Sequence, residues 1–409
     1  MLAAGRAAQL GARVLLVEQK PKVGLKIRIT GRGRCNITNT KPYELFMAGV
    51  HGDAILAETA LRTFTHGDIV DLLHGVGVPT QVERGDRVYP VSGQAADVAE
   101  ALGTWCAQQG CDLWLETKVV ELRAGEDGWQ LGMERANGAT EQVQARGVIL
   151  ACGGKSYPNT GSDGSGYELA SQAGLPVTPL RQGLVGFDTL PRLMRDTRLA
   201  LRNVRLRAFC QGQELGAEEG EMELTPNGIG GPIVLRLSRR IMAVLEEGGL
   251  PTVSLDLKPA LSSEQLLARI QRDVEARGSE SIYSVARAWV PAELVEPLIR
   301  FAGLSGSVLA SRVPGAGLTK IADTLKSIRL RVVAPEGWNR AVITLGGIAA
   351  SELDVSTLAA RNAPGLFVCG EMLDVDGDSG GYNLQLAYST GWLAGTHAAA
   401  YAKGTQGGE

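Results

Sequence analysis

The sequence holds no C-x-x-C pair and only 4 histidines. A zinc site or a dithiol redox centre therefore lacks its ligands, and no metal site is expected. The 6 cysteines, Cys35, Cys106, Cys111, Cys152, Cys210 and Cys369, are scattered, as free thiols in a reducing cytosol are. Charge excess is missing too. Lys plus Arg number 41 against 44 Asp plus Glu, a net −3, which gives no global attraction to nucleic acid or an anionic membrane. No apolar run reaches membrane-spanning length, and the first residues lack the charged, apolar and cleavage-site order of a secretory leader. A cytoplasmic protein without a membrane partner is expected.

What is present is glycine, 53 residues among 409, gathered in short loops rather than repeats. Such loops make tight turns and let the backbone approach a ligand closely. The length predicts two or three domains, and 44% hydrophobic against 21% charged residues supplies a sizeable core.

Met1 to Leu10 reads as a helix ended by Gly11, and Arg13 to Val17 as an apolar strand buried on both faces, closed by Glu18. A helix, a glycine turn, a buried strand and a terminal acid form the second half of a dinucleotide-binding βαβ unit. The first half, a strand and G-x-G-x-x-G about 20 residues before the acid, would fall ahead of Met1. A start at an internal methionine is the expectation. A lost phosphate loop and an unrelated cap helix are the alternatives.

Gly24 to Asn39 is basic and glycine-punctuated, which suits a pyrophosphate or flavin contact. Helices are expected at 54–64, 68–75 and 95–109, and short strands at 113–115, 119–122, 129–133 and 148–151. The last strand runs into Gly153-Gly154, a second place for backbone-only ligand contact. Residues 180–258 read as β-rich with a helix at 229–245, and 262–328 as helical. The segment Gly365 to Ala400 begins as a strand, turns through Glu371, Asp374, Asp376, Asp378, Gly380 and Gly381, and enters a small-residue helix near Asn383. A carboxylate followed by glycines opening a helix can hold sugar hydroxyls and an anion. A calcium loop would need a bidentate Glu twelve places from Asp374, where Gln385 stands. Arg192, Arg195, Arg198, Arg202, Arg205 and Arg207 form a basic cluster, but without the interleaved aromatics that single-stranded RNA stacking uses.

Several segments coincide, in order, with one family. Leu15-Leu16-Val17-Glu18, Thr30 to Asn39 (T-G-R-G-R-C-N-I-T-N), Ala151 to Pro158, Thr225 to Pro232, Thr344 to Gly347 and Gly370 to Asn383 resemble the aminoacetone-oxidase-like, YhiN/BaiN-type FAD-binding flavoproteins. The resemblance implies a glutathione-reductase-like FAD (Rossmann-type) α/β domain, here lacking its first strand, with an inserted β-barrel and helical subdomain. The expected division is 1–176 and 336–409 for the FAD domain, 177–258 for the β-rich insertion and 259–335 for the helical one.

Carried over residue by residue, the resemblance implies that Glu18 binds the adenosine ribose. Lys26, Gly31, Arg32, Gly33, Arg34, Cys35 and Asn36 would line the flavin and pyrophosphate, and Val119 or Val120 would hold adenine. Ala151, Gly153 and Gly154 would pass under the cofactor. Gly370 with Glu371 or Asp374 would meet the ribityl or phosphate side, and Gly380, Gly381, Asn383 and Leu384 the pyrimidine edge of the ring. Arg34, Cys35 and Tyr157 are the candidate catalytic side chains, with Lys155 and Tyr382 behind them. The implied activity is an FAD-dependent oxidoreductase acting between NAD(P)H, or another reduced donor, and a small carbonyl- or enone-type molecule or oxygen. The alternatives are a flavin-fold RNA-modifying or RNA-binding protein, and a flavin-free scaffold.

Overall fold

The structure, a computed structural model, describes residues 1–404. It divides into two compact units, residues 1–182 with 341 onward, and residues Gly183–Arg340.

In the first unit the short apolar runs form parallel pairs. Leu15–Val17 lies beside Asp112–Trp114. Val148–Leu150 lies beside Leu366–Val368, in the register Val148↔Leu366 and Leu150↔Val368. The second pair joins chain stretches from either side of the insertion. Within each pair the strands send their carboxyl ends the same way, and the carboxyl ends of parallel strands are the usual place for ligands in open α/β sheets. The loops that carry Glu18, Gly153-Gly154 and Gly370-Glu371 therefore emerge at strand carboxyl ends. An antiparallel three-stranded sheet, Thr117–Gly125, Gly128–Arg135 and Thr140–Ala145, covers one side. Its register shifts between Val119 and Glu121, leaving Val120 on a bulge.

Two helices fix the interior. Tyr382–Ala402 is long and rich in small residues, and it receives Leu2–Gln9, whose alanines are buried. The approach is so close that a Cβ on Gly395 would lie 2.3 Å from the Ala3 carbonyl oxygen. Small side chains there exchange packing area for backbone proximity. Trp392 then stacks on Phe64 with ring centroids 4.5 Å apart.

The second unit is a closed six-stranded barrel with helices. Its strands run in the order Phe187–Leu190, Gly228–Gly230, Gln213–Leu224, Leu199–Cys210, Thr252–Asp256 and Ile328–Pro335, and the last pairs with the first. Alternation explains the two faces. Val204, Leu206, Ala208, Leu330 and Val332 are buried, while Arg205, Arg207, Arg329 and Arg331 face outward. The helix Pro232–Glu246 lays Ile233, Val234, Leu237 and Ile241 inward. The insertion, expected as a β part ending at 258 and a helical part from 259 to 335, is one compact unit. Ile328–Pro335, inside the stretch expected to be helical, is the strand that closes the barrel.

Candidate functional site: the carboxyl edge of the parallel strands

Glu18 follows the strand Leu15–Val17 and accepts from the Lys20 backbone N–H at 2.9 Å. Burial pushes its carboxyl above the usual range, the direction expected when one charge is withdrawn from water with few compensating donors. Next to it runs the loop after Pro158. Gln19 donates to the Gly161 carbonyl at 2.8 Å, and a Cβ on Gly161 would lie 3.5 Å from Glu18 Oε1.

The second loop follows Val148–Leu150. Leu150 is 3% exposed, yet Ala151 and Cys152 immediately after it are exposed. Cys152 keeps contact with solvent, although the protein crowded around it pushes its thiol up to about 11. Gly154 packs against the third segment. A Cβ there would stand 2.2 Å from Thr344 Oγ1 and 2.8 Å from Glu371 Oε1, so no side chain fits.

Glu371 is a hub. Its Oε1 accepts from Ser156 Oγ at 2.8 Å and from the Thr344 backbone N–H at 2.7 Å. Its Oε2 accepts from Lys26 Nζ, which also donates to Ser156 Oγ at 2.7 Å. Tyr167 OH donates to the Glu371 carbonyl at 2.9 Å. Gly370 N–H reaches Thr390 Oγ1 at 3.0 Å, which ties this turn to the C-terminal helix.

That helix opens at Gly380-Gly381, both at positive φ, 122° and 100°. Asn383 closes the turn from within. It accepts from Gly377 N–H at 2.9 Å and donates to the Gly377 carbonyl at 2.7 Å. With its amide turned to satisfy both neighbours, Asn36 accepts from Gly381 N–H and donates to the Thr38 carbonyl, each at 3.1 Å. The first bond into the helix is from Gln385 N–H to the Gly381 carbonyl. The first-turn N–H groups of Tyr382, Asn383 and Leu384 thus precede the intrahelical ladder and carry the positive end of the helix dipole.

The loop Gly31–Asn36 is unusual in its backbone. Gly31, Arg32, Gly33 and Cys35 all have positive φ, 57°, 58°, 83° and 58°. For Arg32 and Cys35 this is a strained conformation of the kind that collects at ligand sites. Arg34 is not directed at the other segments. It makes a two-point contact with Glu83 and stacks over Tyr89 at 4.4 Å. Cys35 is the candidate catalytic thiol of this loop. It is wholly buried, and burial pushes it up to about 12, which disfavours both access and thiolate. Tyr157, also at positive φ (53°), is half-buried.

Asp374 is held away from the Glu371 hub, accepting from Thr178 Oγ1 at 3.2 Å. Asp378 faces His51 at 3.2 Å. Val119 pairs within the sheet, and the Val120 carbonyl on the bulge accepts from Gln172 at 3.3 Å. Sequence alone does not reveal the parts of Ser156 and Thr344, or Asn36's grip on Gly381, though Ser156 and Thr344 stand in motifs that it singles out.

The contacts connect these segments in turn: Glu18 with the Gly161 loop, Gly153 with Ser162, Gly154 with Glu371 and its partner Lys26, and Gly370 with Thr390 in the C-terminal helix. This set fits a flavin dinucleotide. A carboxylate at a strand end suits ribose hydroxyls, the exposed Ala151-Cys152 turn before Gly153-Gly154 leaves backbone open to a flat ligand, and the helix entrance offers N–H groups to a ring carbonyl.

Fold and edge together define a flavoprotein with a Rossmann-type FAD-binding domain. The chain belongs to the HI0933-like family: the HI0933-like protein Rossmann domain matches residues 1–397. It is 32% identical over 389 residues to the 3-dehydro-bile acid delta(4,6)-reductase of Clostridium scindens, covering 95% of this chain and 93% of that protein. It is 30% identical over 394 residues to the ribosomal RNA dihydrouridine synthase of Escherichia coli, covering 96% and 93%. Among solved structures it shares the fold of the 3-ketosteroid delta1-dehydrogenase from Sterolibacterium denitrificans, with a TM-score of 0.52 over 98% of this chain and 97% of that one at 14% identity. Among the described residues no helix is long and apolar enough to cross a membrane.

Proposed function

We propose that this protein is an FAD-dependent reductase of carbon–carbon double bonds conjugated to a carbonyl, with a small cyclic enone as substrate and a reduced nicotinamide as electron donor. The observation that carries the reading is the set of connected segments, with Glu18 after one parallel strand, glycine loops after the others and open N–H groups at the Gly381–Leu384 helix entrance, which suits FAD. The bond class is suggested by the relatives. A 3-oxo steroid with delta(4,6) unsaturation and a uridine each present a double bond next to a carbonyl, and the names of the two enzymes describe saturating it.

Bound FAD supplies two-electron hydride chemistry. The chain's own residues orient it. Glu18 would accept from the ribose hydroxyls, and the N–H groups of Tyr382, Asn383 and Leu384 would offer a positive dipole end to the ring. Asn36 and Asn383 hold that entrance rigid. With Cys35 sealed and Arg34 paired to Glu83, Tyr157 leads the remaining candidates to orient the carbonyl or hold the proton, with Lys155 and Tyr382 behind it.

The test is anaerobic. Flavin absorbance is followed in the purified protein, bleached with NADH or NADPH, and restored by cyclohexenone, with cyclohexanone identified as product. Absence of bound flavin, or reduced flavin that no enone reoxidises, would refute the reading.

A second reading, uridine reduction in ribosomal RNA, is favoured by the Escherichia coli relative. Against it, the barrel arginines are neutralised across strands: Arg198 by Glu223, Arg202 by Glu221, Arg205 by Glu219 and Arg207 by Glu214. Dihydrouridine formed in unmodified ribosomal RNA by the reduced protein would favour it over the enone.

A further inference from the structure

The second unit carries a charged groove of its own. Residues 192–197 and the helix Ala292–Phe301 border an open groove of about 540 Å³. Leu193, Met194 and Pro297, all buried, supply apolar lining. The rim holds three arginines, Arg192, Arg195 and Arg300, and three acids, Asp196, Glu293 and Glu296, every one exposed. These charges are hardly used within the chain. Arg195 and Glu296 stand 3.8 Å apart with side chains 81% and 70% exposed, a contact worth little in water. The side chains of Arg192, Asp196, Glu293 and Arg300 have no hydrogen bond or ion pair among the described residues. On the barrel strands the opposite holds: Arg198, Arg205 and Arg207 each meet a glutamate across the sheet.

Equal numbers of both signs, side by side, select the partner. A polyanion would meet three carboxylates here, and a basic surface three guanidiniums. The complement of interspersed charge is a surface of the same make-up. A two-fold pair supplies it, because residue i meets j while j meets i. The helix fixes the direction. Glu293, Glu296 and Arg300 recur at i, i+3 and i+7, so they form one outward stripe, acidic toward the N-terminus and basic at the C-terminus. That polarity suits the helix dipole within one copy. It also means that two copies laid antiparallel set Glu293 and Glu296 against Arg300 of the other copy, in both halves of the contact. At the ends, Phe301, 37% exposed, would meet the exposed Pro291 and Ala292 of the second copy.

We propose that the face formed by the helix Ala292–Phe301 and residues 192–197 is an interface between two copies of this chain, with the two helices antiparallel about a two-fold axis. A helix of 10 residues is about 15 Å long. With the loop beside it, the face lies at the small end of specific interfaces, so the dimer is reversible rather than obligate. The inference stands apart from the FAD reading, since every residue it uses lies in the inserted unit.

The test is sedimentation velocity of the full chain across the micromolar range, at low and high salt, for the unmodified protein, Glu293→Lys/Glu296→Lys and Arg192→Glu/Arg300→Glu. The unmodified protein should pass from monomer to dimer as concentration rises, and should do so earlier at low salt. Each double variant makes its face nearly single-signed. It should dimerise about 10- to 100-fold more weakly, because each reversed contact occurs twice about the axis. Mixed in equal amounts, the two variants should form a heterodimer, identified by native mass spectrometry, since the faces then carry opposite charge. A chain that stays monomeric throughout would overturn the proposal. So would variants that dimerise as the unmodified protein does, or folded variants that form no heterodimer when mixed. Circular dichroism melting curves establish that each variant is folded. If one folds poorly, the neutral Glu296→Gln/Arg300→Gln variant keeps the test open: its dimer should be weaker and nearly insensitive to salt, and an unchanged salt dependence would overturn the assignment.

Discussion

Gly381→Ala isolates what the helix entrance demands of the backbone. Gly381 sits at φ 100°, ψ −4°, immediately before the helix Tyr382–Ala402. An L-residue in a left-handed conformation costs about 1–2 kcal/mol. Space adds a second cost: a Cβ would lie 2.4 Å from both the carbonyl carbon and oxygen of Thr38. Thr38 cannot give way cheaply. It is wholly buried, its hydroxyl donates to Gln385 at 2.7 Å, and its strand pairs with Val88. Forcing an atom into such packing costs about 1–3 kcal/mol, so the total is about 2–5 kcal/mol. Gly33→Ala is the control. Gly33 has φ 83°, but a Cβ there would meet nothing within 4 Å, so this variant should lose only the first part. Urea unfolding of the two flavin-free variants decides the matter, because it reads stability without the ligand. Equal losses in both would show that the Thr38 contact does not limit this turn, and the account of the entrance would fail. Loss of flavin retention in Gly381→Ala alone is the expected companion result.

Four further outcomes follow from the same contacts. Asn383→Asp removes the donor to the Gly377 carbonyl and puts an anion there. It should destabilise by about 1–3 kcal/mol at neutral pH, and because the folded pKa of the new carboxyl is raised, the loss should shrink as pH falls in a pH series of unfolding curves. Glu18→Gln should raise the stability of the flavin-free chain at neutral pH. Burial raises the folded pKa of Glu18, so its contribution is present below the unfolded value and lost as pH rises through the folded one. The same change should weaken FAD binding. Cys35→Ala should keep turnover within a few-fold, because the thiol is sealed; a loss like that of a nucleophile would restore it as catalytic. Under native alkylation read by mass spectrometry, exposed Cys152 should label slowly, given a thiol near 11, ahead of Cys35 and Cys369. Bound FAD should protect it; equal labelling with and without FAD would place Cys152 off the site.

Much of the fold is legible in the sequence because period and partner agree. Val98, Leu102 and Trp105 recur at helical spacing in Ala95–Gln108 and are all buried. The alternation of Leu199–Cys210 sets one face of the barrel. What escapes is structure imposed from elsewhere. Thr140–Ala145 has a sequence, T-E-Q-V-Q-A, with little β character, and it is a strand because Gly128–Arg135 offers it an edge. Leu25–Ile29 is a short helix inside what reads as a basic loop. Ile328–Pro335 alternates plainly, but it follows a run of helices and reads as their continuation.

The site divides along a similar line. Glycines announce close backbone approach, and Gly153-Gly154 and Gly380-Gly381 can be singled out from sequence for that reason. Charges announce nothing about their partners. Arg34 and Lys26 stand close together in one basic stretch, yet Arg34 turns to Glu83 on a neighbouring hairpin and Lys26 to Glu371, 345 residues away. Which cation remains available to a ligand is decided by the carboxylate that claims it. Arg34 meets Glu83 with two donors and lies flat on Tyr89, which uses the planar face and the fork that guanidinium recognition depends on. Lys26, a point charge with three separable donors, can serve Glu371 and Ser156 and still have one to give. Exchanging the two, Lys26→Arg with Arg34→Lys, keeps a cation at both positions and should leave FAD affinity, read by flavin titration, far nearer wild type than Lys26→Met does.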